Sequence, residues 1–292
     1  MPERSLLRAA LFIVACEFLF ASMGAAAKAA ASELPNEMLV FGRNLFGLLL
    51  LAPLLLHQGI DSLRTGVFRL HLLRAAAGVG GMYCLFYAFA QLSLANGMLL
   101  KMTAPIFMPL IAWLWLAEAA APLAILAVPV GLAGVWLVLQ PEAGGVDHAA
   151  LVGVAGGALA ALAKVTVRRL TRSEPATRVV FYFSVLATLV AAVPLAWAWV
   201  SPSPRGWALL SLLGFCGVAG QWLLTRGYAC APAARVGPFT YVSVLFAAGY
   251  GYLLWGETLN LAFVAGALLI ACSGLLALYA RARPLRAATA SA

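Results

Sequence analysis

Apolar runs of about 20 residues, separated by short polar or proline-bearing breaks, recur from one end of the chain to the other. At 1.5 Å per residue, a helix of that length crosses the ~30 Å hydrocarbon core of a bilayer. The breaks predict ten spans, at 6–28, 38–56, 71–92, 95–117, 121–140, 149–170, 177–200, 206–231, 235–256 and 260–280. Pro35, Pro122, Pro141, Pro175, Pro202 and Pro204 fall in or beside the breaks, where a helix has to stop. The stretch with Glu142, Gly144, Gly145 and Asp147 is the most linker-like. It divides the chain into two five-span units, residues 1–141 and 142–292. The tail beyond Arg283 is expected to be disordered.

The pattern also repeats. Leu73–Glu118, moved forward by 139 positions, lies on Leu212–Glu257 without a gap. Gly78, Val79 and Gly81 then meet Gly217, Val218 and Gly220, and Phe107 meets Phe246. Each copy reads as a Gly-rich apolar helix, a break, a second apolar helix and a lone terminal Glu.

Composition narrows the class. The chain is 64% hydrophobic and 10% charged, with a mean hydropathy of +0.97. It lacks the polar residues needed to surface a soluble domain of 292 residues. The expectation is an all-α polytopic membrane protein. Cys16, Cys84, Cys216, Cys230 and Cys272 lie inside apolar runs without CxxC spacing, and read as small hydrophobes rather than disulfide or metal ligands.

The net charge of +9 is distributed as a topology signal, which argues against nucleic acid as a partner. With the N-terminus inside, Arg4, Arg8, Arg64, Arg69, Arg74, Arg168, Arg169 and Arg172 fall on the cytoplasmic side, and only Lys28 and Arg205 on the other. That bias holds only if each half has an odd number of spans. Five plus five makes an inverted repeat with both termini cytoplasmic, the architecture by which secondary transporters alternate access.

Few residues in the spans can carry chemistry. Glu17 is the acid in the hydrocarbon region, ~16 Å along the helix from Lys28. It either forms a neutral, hydrogen-bonded lock between helices or binds an ammonium or a coupling proton. Arg43, followed by Asn44, and Lys101 either snorkel to the outer headgroups or line the outer half of a cavity suited to carboxylates. Lys164 and Arg226 lie near cytoplasmic span ends, where snorkelling is the simpler reading. Tyr83, Tyr87 and Gln91 form one stripe on a helix face. With Gln221, Trp222 and Tyr241 they are candidates to line a cavity, the alternative being an aromatic belt or a packing seam. No Walker A sequence, G-x-S-x-G or H-E-x-x-H occurs, so neither ATP nor another cofactor is implied. An intramembrane enzyme would need a second acid–base group beside Glu17 and is the remote alternative.

The segment A-P-I-F-M-P-L-I-A-W-L-W-L-A-E, followed by Gly131 and Gly134, resembles the EamA repeat of the drug/metabolite transporter superfamily. So does P-F-T-Y-V-S-V-L-F-A-A-G-Y-G-Y-L-L-W-G-E-T-L-N, followed by Gly266 and Gly274. The resemblance implies ten helices, a bacterial inner-membrane location, a central cavity and secondary transport, usually export, of amino acids and related metabolites. V-R-R-L-T-R-S-E-P and P-F-T-Y resemble a branch that includes uptake carriers for riboflavin and S-adenosylmethionine and exporters of opine-type metallophores. The second half has Ser184 where the first has Arg43, which implies a lopsided cavity. The expected function is export of a small, amino-acid-derived, carboxylate-bearing metabolite, an opine metallophore or an amino acid. Riboflavin or S-adenosylmethionine uptake is the alternative, and the choice between monomer and homodimer stays open.

Overall fold

The computed structural model describes residues 2–56, 64–116, 122–139, 147–230 and 237–290. Glu118 and the Glu142–Gly145 stretch lie outside them. Among the described residues all regular structure is helical: α1 (Pro2–Ala30), α2 (Asn36–Leu56), α3 (Phe68–Gln91), α4 (Leu94–Lys101), α5 (Ala104–Leu116), α6 (Pro122–Leu139), α7 (His148–Leu170), α8 (Ala176–Ala192), α9 (Leu195–Ala198), α10 (Pro204–Cys230), a 3-10 turn (Gly237–Tyr241), α11 (Val242–Trp255) and α12 (Leu261–Ala290). Among the described residues five segments are long and apolar enough to cross a membrane: Leu7–Ala30, Phe68–Gln91, Leu94–Trp115, His148–Leu170 and Pro204–Leu224. Shorter apolar helices lie at Ile125–Val138, Arg178–Ala192, Phe239–Trp255 and Leu261–Leu276. Large apolar side chains such as Leu114, Leu253 and Leu261 point outward from the bundle, as a lipid-facing surface requires.

The sequence places the helices well and misses their interruptions. The expected continuous span at 95–117 breaks after Lys101, because Pro105 has no N–H for the Lys101 carbonyl four residues back. The Thr103 hydroxyl donates to the Leu100 carbonyl at 2.6 Å and closes the gap. The span expected at 177–200 ends at Ala192, with Pro194 in the bend before the short α9. Pro238 lies in the 3-10 turn where the span at 235–256 was expected to be one helix. The tail beyond Arg283 is helical to Ala290 rather than disordered; its alanines, Arg286 and Leu285 are strong helix formers.

Packing repeats with the two halves exchanged. Helix α1 runs along α10 as α7 runs along α3, and α2 crosses α10 as α8 crosses α3. Glycines set the closest approaches. At the α6–α12 crossing, a Cβ on Gly134 would stand 2.8 Å from the Gly266 carbonyl oxygen, so the two backbones touch and neither position has room for a side chain.

Candidate functional site

Three charged clusters sit in this apolar bundle. The first joins α1, α4 and α11. Glu17 is 3% exposed. Its Oε2 stands 3.9 Å from Lys101 Nζ and accepts no hydrogen bond. Lys101 reaches it because the helix ends there, and its ammonium also lies 4.3 Å from the centroid of the Phe20 ring. The positive field of Lys164 reaches Glu17 as well. On the same stretch of α1, Phe18 packs edge-on against Phe246, and the Ser22 and Tyr250 hydroxyls share a hydrogen bond of 2.8 Å. An acid between two cations can exchange partners, with either a proton or a substrate ammonium displacing a lysine.

The second cluster centres on Arg43. Its guanidinium lies against Gly217 of α10 and donates from Nη1 to Asn44 Oδ1 at 3.2 Å. Asn44 spends its own amide on the Val40 carbonyl at 2.8 Å and on Met82 Sδ at 3.6 Å. Arg74, expected among the cytoplasmic topology charges, is instead turned into the bundle, with its guanidinium 3.9 Å from the centroid of the Phe183 ring. A cue for Arg74 was present in the sequence: it falls inside the apolar run at 71–92 and one helical turn before Gly78, which has no side chain to obstruct it.

The third cluster pairs Lys28 with Glu257, a contact the sequence does not show. Gly256, at φ +65°, ends α11 in a left-handed cap, with its N–H donating to the Tyr252 carbonyl and that of Glu257 to Gly251. The reversal aims the Glu257 carboxylate at the α3–α4 break. There Oε2 accepts from the Leu94 N–H at 2.8 Å, and Oε1 accepts from Lys28 Nζ at 2.6 Å. Lys28 also donates to the Leu92 carbonyl at 2.6 Å. One ion pair thereby satisfies an orphaned carbonyl and an orphaned N–H on the two sides of a helix break.

The remaining candidates are spread over α3, α10 and the 3-10 turn. Tyr83 packs against the core with its hydroxyl buried and unpartnered, while Tyr87 meets the His148 ring edge-on at 6.3 Å. Gln91 is exposed at the end of α3. Gln221 is exposed on α10, and Trp222 is 54% exposed with the Arg226 guanidinium 4.7 Å from its ring. The Tyr241 hydroxyl donates to the Ile270 carbonyl at 3.3 Å and packs on Gly274, fastening the 3-10 turn to α12. Phe183, not Ser184, is the residue that lies over Gly78 as Arg43 lies over Gly217, a register shift of one residue from the sequence alignment. Among the described residues no group of His, Cys, Asp and Glu is arranged to hold a metal.

Away from the spans, Glu174 ties two connections together. Its carboxylate accepts from the Thr65 hydroxyl at 2.8 Å and from Arg178 Nη1 at 2.7 Å. Burial pushes the carboxyl up, but the bonds from Thr65 and Arg178 outweigh it and hold it below its ordinary range.

Residues 7–140 and 148–279 each match the EamA-like transporter family. The chain is 34% identical over 270 residues to the pseudopaline exporter of Pseudomonas aeruginosa, covering 91% of this chain and 94% of that one. It is 28% identical to a riboflavin transporter of Brucella anthropi, over 81% and 86% of the two chains. It is 22% identical to an S-adenosylmethionine uptake transporter of Rickettsia bellii, over 85% of each. A solved crystal structure at 19% identity shares the fold with a TM-score of 0.64, covering 94% of this chain and 97% of the other. Two matched copies across one apolar helical bundle make this a multi-pass membrane protein, and the chain belongs to the EamA-like transporter family.

Proposed function

We propose that the protein is a secondary transporter of the bacterial inner membrane that exports a small, amino-acid-derived metabolite bearing carboxylates, of the opine-metallophore or amino-acid class. The observation that carries this reading is the 34% identity, over nearly the full length of both chains, to an exporter of pseudopaline. The chemistry of the spans agrees with it. Arg43 and Lys101 are cations with donors to offer a carboxylate, Asn44 orients Arg43, Tyr83 has a free hydroxyl, and Glu17 meets an amine or the coupling proton. An excess of buried cations suits an anionic solute better than the sulfonium of S-adenosylmethionine.

The reading takes the chain as ten spans in two inverted five-helix halves, residues 1–141 and 142–292, with both termini cytoplasmic. Single-cysteine tags just beyond Glu118 and just beyond Glu257 are expected to label from opposite sides of the membrane, and labelling of both from one side overturns the inverted arrangement. Function is tested by profiling spent medium from a strain lacking the protein and from its complemented parent. The expected result is an amino-acid-derived acid that disappears with the gene and returns with it. Unchanged medium, together with reduced cellular accumulation of supplied riboflavin, reverses the assignment to uptake. Glu17→Gln is expected to flatten the pH profile of export, and an unchanged profile removes Glu17 from proton coupling.

A further inference from the structure

Two arginines inside the bundle have no acid to answer them among the described residues. Arg43 crosses from α2 to α10 and rests where a Cβ on Gly217 would come within 3.0 Å of its Nε. Among the described residues it makes no ion pair, and its Nη1 donates to the neutral Asn44. Arg74 folds back over Gly78 of its own helix, beneath Phe183 of α8. Its Nε and Nη1 are shut off from solvent and have no hydrogen-bond partner among the described residues. Asn44, the residue after Arg43, donates to Met82 Sδ on α3, one helical turn beyond the Gly78 on which Arg74 lies. The described acids that have a partner are engaged elsewhere: Glu17 beside Lys101, Glu33 with Ser203, Asp147 with the Ala149 N–H, Glu174 with Arg178, and Glu257 with Lys28.

The internal repeat supplies a control for what packing alone requires. Gly78 and Gly217 occupy the same repeat position, 139 residues apart. Over each lies a side chain from the second helix of the other half, Arg43 over Gly217 and Phe183 over Gly78. Arg74 in α3 corresponds by the same shift to Leu213 in α10, which is fully buried. Each contact thus pairs one arginine with one apolar residue, in opposite order. Phenylalanine and leucine fill the positions adequately where they occur, so packing does not call for either guanidinium. The stack on Phe183 does not satisfy Arg74 either: it occupies the face of the guanidinium and leaves the in-plane N–H edge open. That edge is the one a carboxylate takes with two parallel hydrogen bonds.

We propose that Arg43 and Arg74 form a two-carboxylate subsite at the junction of α2, α3, α8 and α10, each guanidinium taking one carboxylate of the same solute. The proposal rests on the reading of a carboxylate-bearing substrate and sharpens it: the exported metabolite carries at least two acid groups. An amino acid with a single carboxylate fills half the subsite and leaves one buried cation unanswered.

The test uses the full-length protein in lipid nanodiscs and titration calorimetry with three probes. Iminodiacetate carries two carboxylates on a secondary amine, sarcosine carries one on the same amine, and inorganic phosphate is an anion of different shape. The wild type is expected to bind iminodiacetate at least about tenfold more tightly than sarcosine, the effect of one further charge-assisted contact. Arg74→Gln is expected to erase that gap by weakening iminodiacetate alone, with sarcosine changed by less than about twofold. Arg74→Lys retains the charge without the fork, folds with a cation in place, and is expected to keep part of the gap. Equal binding of the two amines by wild type, or a gap that survives Arg74→Gln, overturns the subsite and leaves the export reading standing. Phosphate bound more tightly than iminodiacetate overturns the dicarboxylate assignment. Failure to bind either carboxylate overturns both the subsite and the reading beneath it.

Discussion

The Lys28–Glu257 pair and the Arg43–Arg74 junction place charge in the same apolar bundle and treat it in opposite ways. Around Lys28 every contact is answered: a carboxylate, a helix-terminal carbonyl and a helix-terminal N–H close on one another at 2.6–2.8 Å. Around Arg74 two donors are buried and answered by nothing among the described residues. Burying a charge is costly in either case, but the cost is offset locally at the first place and left open at the second. A satisfied cluster of this kind holds helices together, whereas an unsatisfied one is completed by a solute. Glu17 and Lys101 stand between the two cases, close enough to attract at 3.9 Å but not hydrogen-bonded, as a group that changes partners needs to be.

The comparison can be broken most forcefully at the satisfied end. Glu257→Gln leaves Lys28 and the α3–α4 break without their counter-charge and is expected to cost about 3 kcal/mol, read from thermal unfolding of the purified protein. The Lys28→Met/Glu257→Gln double variant is expected to lose no more than either single change, because each removes the same interaction. Arg74→Met sharpens the other end. Removing an unanswered guanidinium in favour of an apolar chain of similar length is expected to raise stability by about 1–3 kcal/mol while export falls. The smallest effect concerns Glu174. A carboxyl held below its ordinary range contributes stability that is complete above the unfolded pKa of about 4.3 and is lost as pH falls through the lower folded value. The tie between Thr65, Glu174 and Arg178 is therefore expected to loosen only under acid conditions, seen as faster hydrogen exchange near Thr65, and Glu174→Gln is expected to abolish that pH dependence.

Much of the bundle is legible in the apolar periodicity, because a helix facing lipid and protein must be apolar nearly all round for its full length. The interruptions are less so. Pro105 and Pro238 break spans that hydropathy joins, since proline is apolar on any transfer scale and its effect lies in the missing N–H. Among site residues, the proximity of Glu17 and Lys101 is spatial: nothing in 84 residues of separation announces it, and it depends on where α4 ends. The Tyr83–Tyr87–Gln91 stripe is a true helix face, yet its members diverge to the core, to His148 and to an exposed position, because a stripe specifies a face and not what covers it. Arg74 reads as cytoplasmic because its nearness to a span end matches the charge bias, while its long side chain reaches inward over Gly78. Lys28 and Glu257 each carried a sequence cue, one as a span end and the other as a repeat marker. Their pairing depends on the left-handed turn at Gly256.

The division between charges that hold the protein and charges that hold its cargo is tested most directly by measuring thermal unfolding and export together for Arg43→Met. A melting temperature at or above that of wild type with export lost is the result predicted here. A melting temperature lowered as far as that of Glu257→Gln would contradict it, and would place Arg43 among the residues that build the bundle.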